Sequence, residues 1–155
     1  MKLAELLINC LTEKHSYIPL DSILGISQYG SRVYGTASEN SDWDFVVIHS
    51  SYQEGIIETD DYDIHYIPVE SYINMLKEHD IMALEIYYHN LQNEPIKEFN
   101  IDESEYDFEF VLDKQKLRHS VSKVSSNSFV KFKKKLTLPN EDNYIGIKSL
   151  FHAVR

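Results

Sequence analysis

Between Gly30 and Asp44 the sequence reads GSRVYGTASENSDWD, and two features of it bear on chemistry. A predicted strand runs into the Gly30-Ser31 step and then a short helical turn. Gly30 has no side chain, so an anion can approach the backbone. Exposed N–H groups at such a turn, with the Ser31 hydroxyl, suit a phosphate. Asp42 and Asp44 stand two apart at the start of the next predicted strand, over 42–50. Alternation along a strand puts both carboxylates on one face. Adjacent carboxylates repel unless a cation sits between them. Magnesium is the usual hard cation for such a pair, and it commonly shares itself with substrate phosphates.

A third carboxylate comes from Tyr62-Asp63-Ile64-His65, in a strand predicted over 62–69. Asp63 points to one face, Tyr62 and Ile64 to the other. If this strand lies beside 42–50, Asp63 joins Asp42 and Asp44. Asp61 shares that face and is the alternative. Asp63 is preferred because it sits within the apolar alternation, whereas Asp60 and Asp61 sit at the turn. Three carboxylates, two metals and a triphosphate cradle describe nucleotidyl transfer. Arg32 reads equally as a phosphate ligand or a surface charge. Lys148 and Arg155, one helix face apart, either reach a triphosphate or face solvent. His65 reads as a packing neighbour of the carboxylates rather than a metal ligand, and Glu85 as a structural partner. Tyr29, Tyr34 and Trp43 are either stacking platforms for a base or ordinary core aromatics.

Placing these residues needs a sheet. Strands are predicted over 22–29, 42–50 and 62–69, with a further candidate at 54–59. Near Glu70 the apolar period changes from two to 3.6. Helices are predicted over 3–13, 70–76, 81–89, roughly 108–136, and 143–155, with turns at Pro19 and Pro95 and a break at Pro139. Ile147, Leu150, Phe151 and Val154 form the apolar stripe of the last helix. The expected fold is α+β: a small mixed sheet with helices on one face and a helical C-terminal part. Residues 1–95 are expected to form a catalytic core and 96–155 the helical part. The last predicted helix ends without a capping residue, so the natural protein is expected to continue, or that helix to dock elsewhere.

At 155 residues, 43% hydrophobic and 26% charged, the composition is that of an ordinary globular chain. No apolar run approaches the ~20 residues of a membrane span. The first eleven residues lack the cleavage site of a signal peptide. The single cysteine, Cys10, excludes an internal disulfide and a multi-thiolate zinc site, and a reducing cytoplasm is the expected compartment. The net charge of −10 is unevenly spread. From Lys114 to Lys135 there are eight Lys or Arg and no acid, which leaves 7 positive and 25 negative charges elsewhere, a net of −18. An acidic body carries one basic segment, most simply a solvated helix face.

The ordered combination of a strand, GSR-x-x-G, SD-x-D on the next strand and a lone Asp on a later one resembles the DNA polymerase β-like nucleotidyltransferase superfamily. The resemblance implies that Gly30 and Ser31 bind the β- and γ-phosphates, with Arg32 and Lys148 as further candidate contacts. It implies that Asp42, Asp44 and Asp63 hold Mg²⁺ or Mn²⁺, with Asp63 the general base. The stretches GSRVYGTASENSDWD, DIHYIP and IMALEIYYH look like a bacterial and phage subgroup of predicted nucleotidyltransferases. KSLFHAVR looks like the start of its C-terminal helix. The similarity spans 23–85, and more loosely 129–155. The implied activity moves an NMP from an NTP such as ATP to a hydroxyl on a small molecule, a protein or an RNA end, releasing pyrophosphate. The acidic body disfavours long nucleic acid. Two other readings use the same residues: an inactive module that binds a nucleotide or partner, and a phosphate-binding hydrolase.

Overall fold

The computed structural model describes residues 7, 18–39, 41–93, 95–97, 101, 103–137 and 143–154. Apart from Leu7, the expected helix over 3–13 lies outside the described residues, as do Cys10, Pro139 and Arg155. Contacts divide the chain into two compact units. One takes in the described residues up to Lys77 together with Met82–Phe110; the other takes in Glu78–Ile81 and the described residues from Val111 onward.

The first unit is built on a four-stranded mixed sheet, and the fold is α+β. Its strands are β1 (Ile23–Tyr29), β2 (Trp43–His49), β3 (Gly55–Glu58) and β4 (Tyr62–Pro68), in the order β1-β2-β4-β3. β1 runs antiparallel to β2, β2 parallel to β4, and β3 antiparallel to β4. The candidate strand over 54–59 is therefore real, and it forms the edge beyond β4. Its short hairpin is closed by Thr59, whose N–H and hydroxyl both donate to the Tyr62 carbonyl, at 3.0 and 2.8 Å. β2 begins at Trp43, so Asp42 lies just ahead of the strand rather than within it.

β2 is buried from Phe45 to His49 without alternation. A continuous buried run marks a strand covered on both faces. On one face Phe45, Val47, Ile57, Ile64 and Tyr66 pack with Ile23, Ile26, Leu7 and Ile18. On the other face lie Val46, Ile48 and Ile67, with the site residues at one end. Helix α1 (Val69–Lys77) contacts β2 and β4, and its buried Val69, Tyr72, Ile73 and Leu76 lie outside the first cluster. Helix α2 (Ile81–Gln92) is tied to β1 where the Ser27 hydroxyl donates to Asn90 Oδ1 at 2.6 Å. Lys97 returns to the sheet and exchanges backbone hydrogen bonds with Ile26, both 3.1 Å.

The second unit holds α3 (Lys114–Thr137) and α4 (Asn143–Val154), packed on each other. The expected helix over 108–136 starts six residues late. Asp113 is the reason: its carboxylate accepts from the N–H groups of Gln115 (2.7 Å) and Lys116 (3.2 Å), which caps the helix there. Those two hydrogen bonds hold its carboxyl below the ordinary value. The last helix corrects a second expectation. Gly146 and Ser149 are its buried residues, while Ile147, Phe151 and Val154 of the predicted stripe are exposed. A Cβ on Gly146 would come within 3.2 Å of Lys135 Cβ, so the small-residue side of α4 lies close against α3. Among the described residues no helix is long and apolar enough to cross a membrane.

The edge strand offers a direct check of the sheet's two sides. Ile57 is 3% exposed and its neighbour Ile56 is 50% exposed. Ile57→Ala should cost about 2–5 kcal/mol in denaturant unfolding. Ile56→Ala should stay within about 0.5 kcal/mol of wild type. Equal costs at the two positions would contradict the register of β3.

Candidate active site

Gly30 follows β1 directly with φ of +80°, a left-handed conformation that a side chain strains. A Cβ at Gly30 would lie 2.0 Å from Asp44 Oδ2 and 2.6 Å from its Cγ. The Asp44 carboxylate thus occupies the space the missing side chain leaves. Beyond Gly30 the chain turns tightly: the Gly30 carbonyl accepts from the N–H groups of Val33 (3.1 Å) and Tyr34 (3.2 Å), and the Ser31 carbonyl from that of Thr36 (2.9 Å). Arg32 closes the loop from inside. It donates to the carbonyls of Asp42 (3.3 Å) and Ser41, and its guanidinium lies 4.2 Å over the Trp43 ring.

The strand register then lines up four polar residues. Tyr29 is the Cα partner of Asp44, Asp44 of Asp63, and Asp63 of Glu58. Directly paired residues share a face, so one row crosses all four strands on the same side. Asp42 stands just ahead of it; the Trp43 N–H donates to the Asp61 carbonyl at 3.0 Å, which sets Asp42 and Asp61 at the entry to β2 and β4. Asp61 is exposed and precedes β4, whereas Asp63 is partly buried within it. His65 is one step further along the face, and its ring meets that of Tyr29 edge-on, centroids 5.5 Å apart.

The electrostatics follow from this crowding. Partial burial, then Asp42 and Glu58, hold the Asp63 carboxyl above its ordinary value, with His65 opposing. Burial lowers the His65 imidazole against the pull of Asp63, Asp44 and Glu58. Burial raises the Tyr29 phenol far above its ordinary value, reinforced by Asp44, Tyr34, Asp63 and Glu85. Tyr29 therefore stays a neutral phenol beside the carboxylate row.

Gly30, Ser31, Arg32, Asp42, Asp44 and Asp63 all belong to the first unit; Lys148 is exposed on α4 in the second. The register adds two residues to the row that spacing alone does not place there. Spacing reads Tyr29 as a stacking or core residue, although it stands directly before Gly30-Ser31. Glu58 sits on the edge strand, and only its pairing with Asp63 brings it to the row. Among the described residues, no group of three His, Cys, Asp or Glu side chains is placed to hold a metal by itself. The donors present are carboxylate oxygens. They fit a hard divalent cation such as Mg²⁺, which takes its remaining ligands from water and phosphate.

The model for the nucleotidyltransferase domain matches residues 7–135, most of the chain. The chain belongs to that family, in keeping with the polymerase β-like superfamily. No curated protein matches it.

Two measurements test this geometry. In Asp63 the folded pKa is raised, so its contribution to stability is full below the unfolded value and is lost as pH rises through the folded one. Above that window the ionised carboxylate is a cost. With chelator present, Asp63→Asn should therefore raise the melting temperature near pH ~7, and the gain should vanish below about pH 4. A gain that does not depend on pH would contradict the crowding. Gly30→Ala should destabilise by at least the ~1–2 kcal/mol of a left-handed non-glycine residue, because the methyl also displaces Asp44. Unchanged stability would mean that Asp44 does not fill that space.

Proposed function

We propose that this protein is a divalent-metal-dependent nucleotidyltransferase that moves an NMP from an NTP to a hydroxyl acceptor and releases pyrophosphate. The observation that carries the reading is the Asp44 carboxylate seated against the Gly30 turn with Asp63 beside it, in a chain of the nucleotidyltransferase family. The Gly30-Ser31 turn holds the β- and γ-phosphates through backbone N–H groups and the Ser31 hydroxyl. Arg32 keeps the loop closed behind it. Asp42, Asp44 and Asp63 are the residues that would hold Mg²⁺ or Mn²⁺. When bound, the metal would offset phosphate charge and make the acceptor hydroxyl more acidic.

Asp63 accepts the acceptor's proton in this reading. A carboxylate crowded by acids is a better base than an isolated one, and the raised Asp63 suits that task. The acceptor oxygen bonds to the α-phosphorus as the bond to pyrophosphate breaks. The chemistry is assigned to residues 1–95. The acceptor is a small molecule, a protein side chain or an RNA end, and the acidic body weighs against long nucleic acid. A second reading is a nucleotide-binding module without turnover.

Pyrophosphate release and label transfer, measured with each NTP and Mg²⁺ or Mn²⁺, separate the two. Asp63→Asn should lower turnover by orders of magnitude while NTP binding stays nearly intact. Asp44→Asn should weaken both. Ser31→Ala should mainly raise KM for NTP, by the equivalent of about 1–3 kcal/mol. No product in wild type, with NTP binding indifferent to Asn at 42, 44 and 63 together, would favour the binding module.

A further inference from the structure

Tyr34 is fastened at both ends. Its backbone N–H closes the turn onto the Gly30 carbonyl, and its phenol donates to the Glu85 carboxylate on α2, 51 residues away in sequence. Glu85 is held firmly: it lies between Leu84 and Ile86, both buried, and Ala83 is buried one residue earlier. Tyr29 feels Tyr34 and Glu85 as well as Asp44 and Asp63. The helix and the carboxylate row therefore meet across the turn. A turn that cradles phosphate through backbone N–H groups works only when those groups are held in place beforehand. Left-handed Gly30 has little preference of its own for that shape.

We propose that Glu85 is a positioning residue for phosphate binding: through Tyr34 it latches the Gly30–Tyr34 turn to α2 in the shape that receives the triphosphate. This rests on the reading that the turn binds phosphate. A carboxylate makes a stronger latch than a neutral acceptor, because a hydrogen bond to an ionised group is roughly twice as strong. The fold supplies its own control. Ser27 also ties β1 to α2, through Asn90, but away from the turn. If the Tyr34–Glu85 contact merely packs helix on sheet, the two ties should behave alike.

The test is titration of the full chain with Mg·ATP, Mg·GTP, Mg·CTP and Mg·UTP in turn, with hydrogen exchange at the Val33 and Tyr34 amides and a melting temperature for each variant. Tyr34→Phe and Glu85→Ala should weaken binding of the preferred Mg·NTP about tenfold and speed exchange at those two amides. Glu85→Gln keeps an acceptor oxygen and should restore affinity to within about threefold. Ser27→Ala should lower the melting temperature with affinity and turn exchange unchanged. If Glu85→Ala fails to fold, Tyr34→Phe, which removes a single oxygen, decides the matter. Wild-type affinity in Tyr34→Phe, while Ser31→Ala still weakens binding, overturns the latch and leaves the phosphate turn standing. No binding of any of the four nucleotides by wild type removes the phosphate turn and the latch with it.

Discussion

The site depends on the Asp44 carboxylate filling the space beside Gly30. The two residues belong to different strands and meet because β1 and β2 pair with Tyr29 opposite Asp44. That contact fixes three things together. It requires a residue without a side chain directly after β1. It seats the Gly30 turn directly against a carboxylate. It also sets the register of β1 on β2, because a shift of one residue would send Asp44 to the other face.

The parallel pairing of β2 with β4 extends the contact into a row. Parallel neighbours cannot be joined by a tight hairpin, so the chain needs a crossover between them. Here the connection includes β3, which forms the outer edge. One consequence is electrostatic: Glu58 comes to lie opposite Asp63 and adds to the acid crowding already made by Asp42. The resulting repulsion opposes folding in the absence of a counter-charge. It is tolerated because the strands beneath are anchored by Phe45, Val47 and Ile64, all fully buried, on the opposite face. Apolar burial holds the sheet on both faces, and the charged row occupies one end of the face that carries Val46, Ile48 and Ile67.

Much of this was legible in the residues. Apolar runs bounded by turn residues predict strands over 22–29, 42–50 and 62–69, within a residue of those observed. The mixed sheet, the helices after Glu70 and the nucleotidyltransferase family also came from pattern and motif. The misses have physical causes. The expected long helix starts too early because Phe108, Val111 and Leu112 fit its period, while the Asp113 cap that sets its start is a local hydrogen-bonding choice. The apolar pattern predicts the wrong inner face for the last helix. Gly146 and Ser149 are too small to register in a hydrophobic pattern, yet they allow the close approach to α3 that larger residues would block.

The sequence by itself determined the chemical types at the site: a glycine able to take a positive φ, a serine, and carboxylates spaced for one strand face. These depend on residue identity and on the two-residue period of a strand, which are local. Only the tertiary structure decided which residues stand next to one another. Tyr29 against Asp44, Glu58 against Asp63, and Tyr34 bonded to Glu85 are pairings between elements. They are set by strand order, register and the seating of a helix, which result from burying the whole apolar core at once and leave no mark in the local spacing of residues.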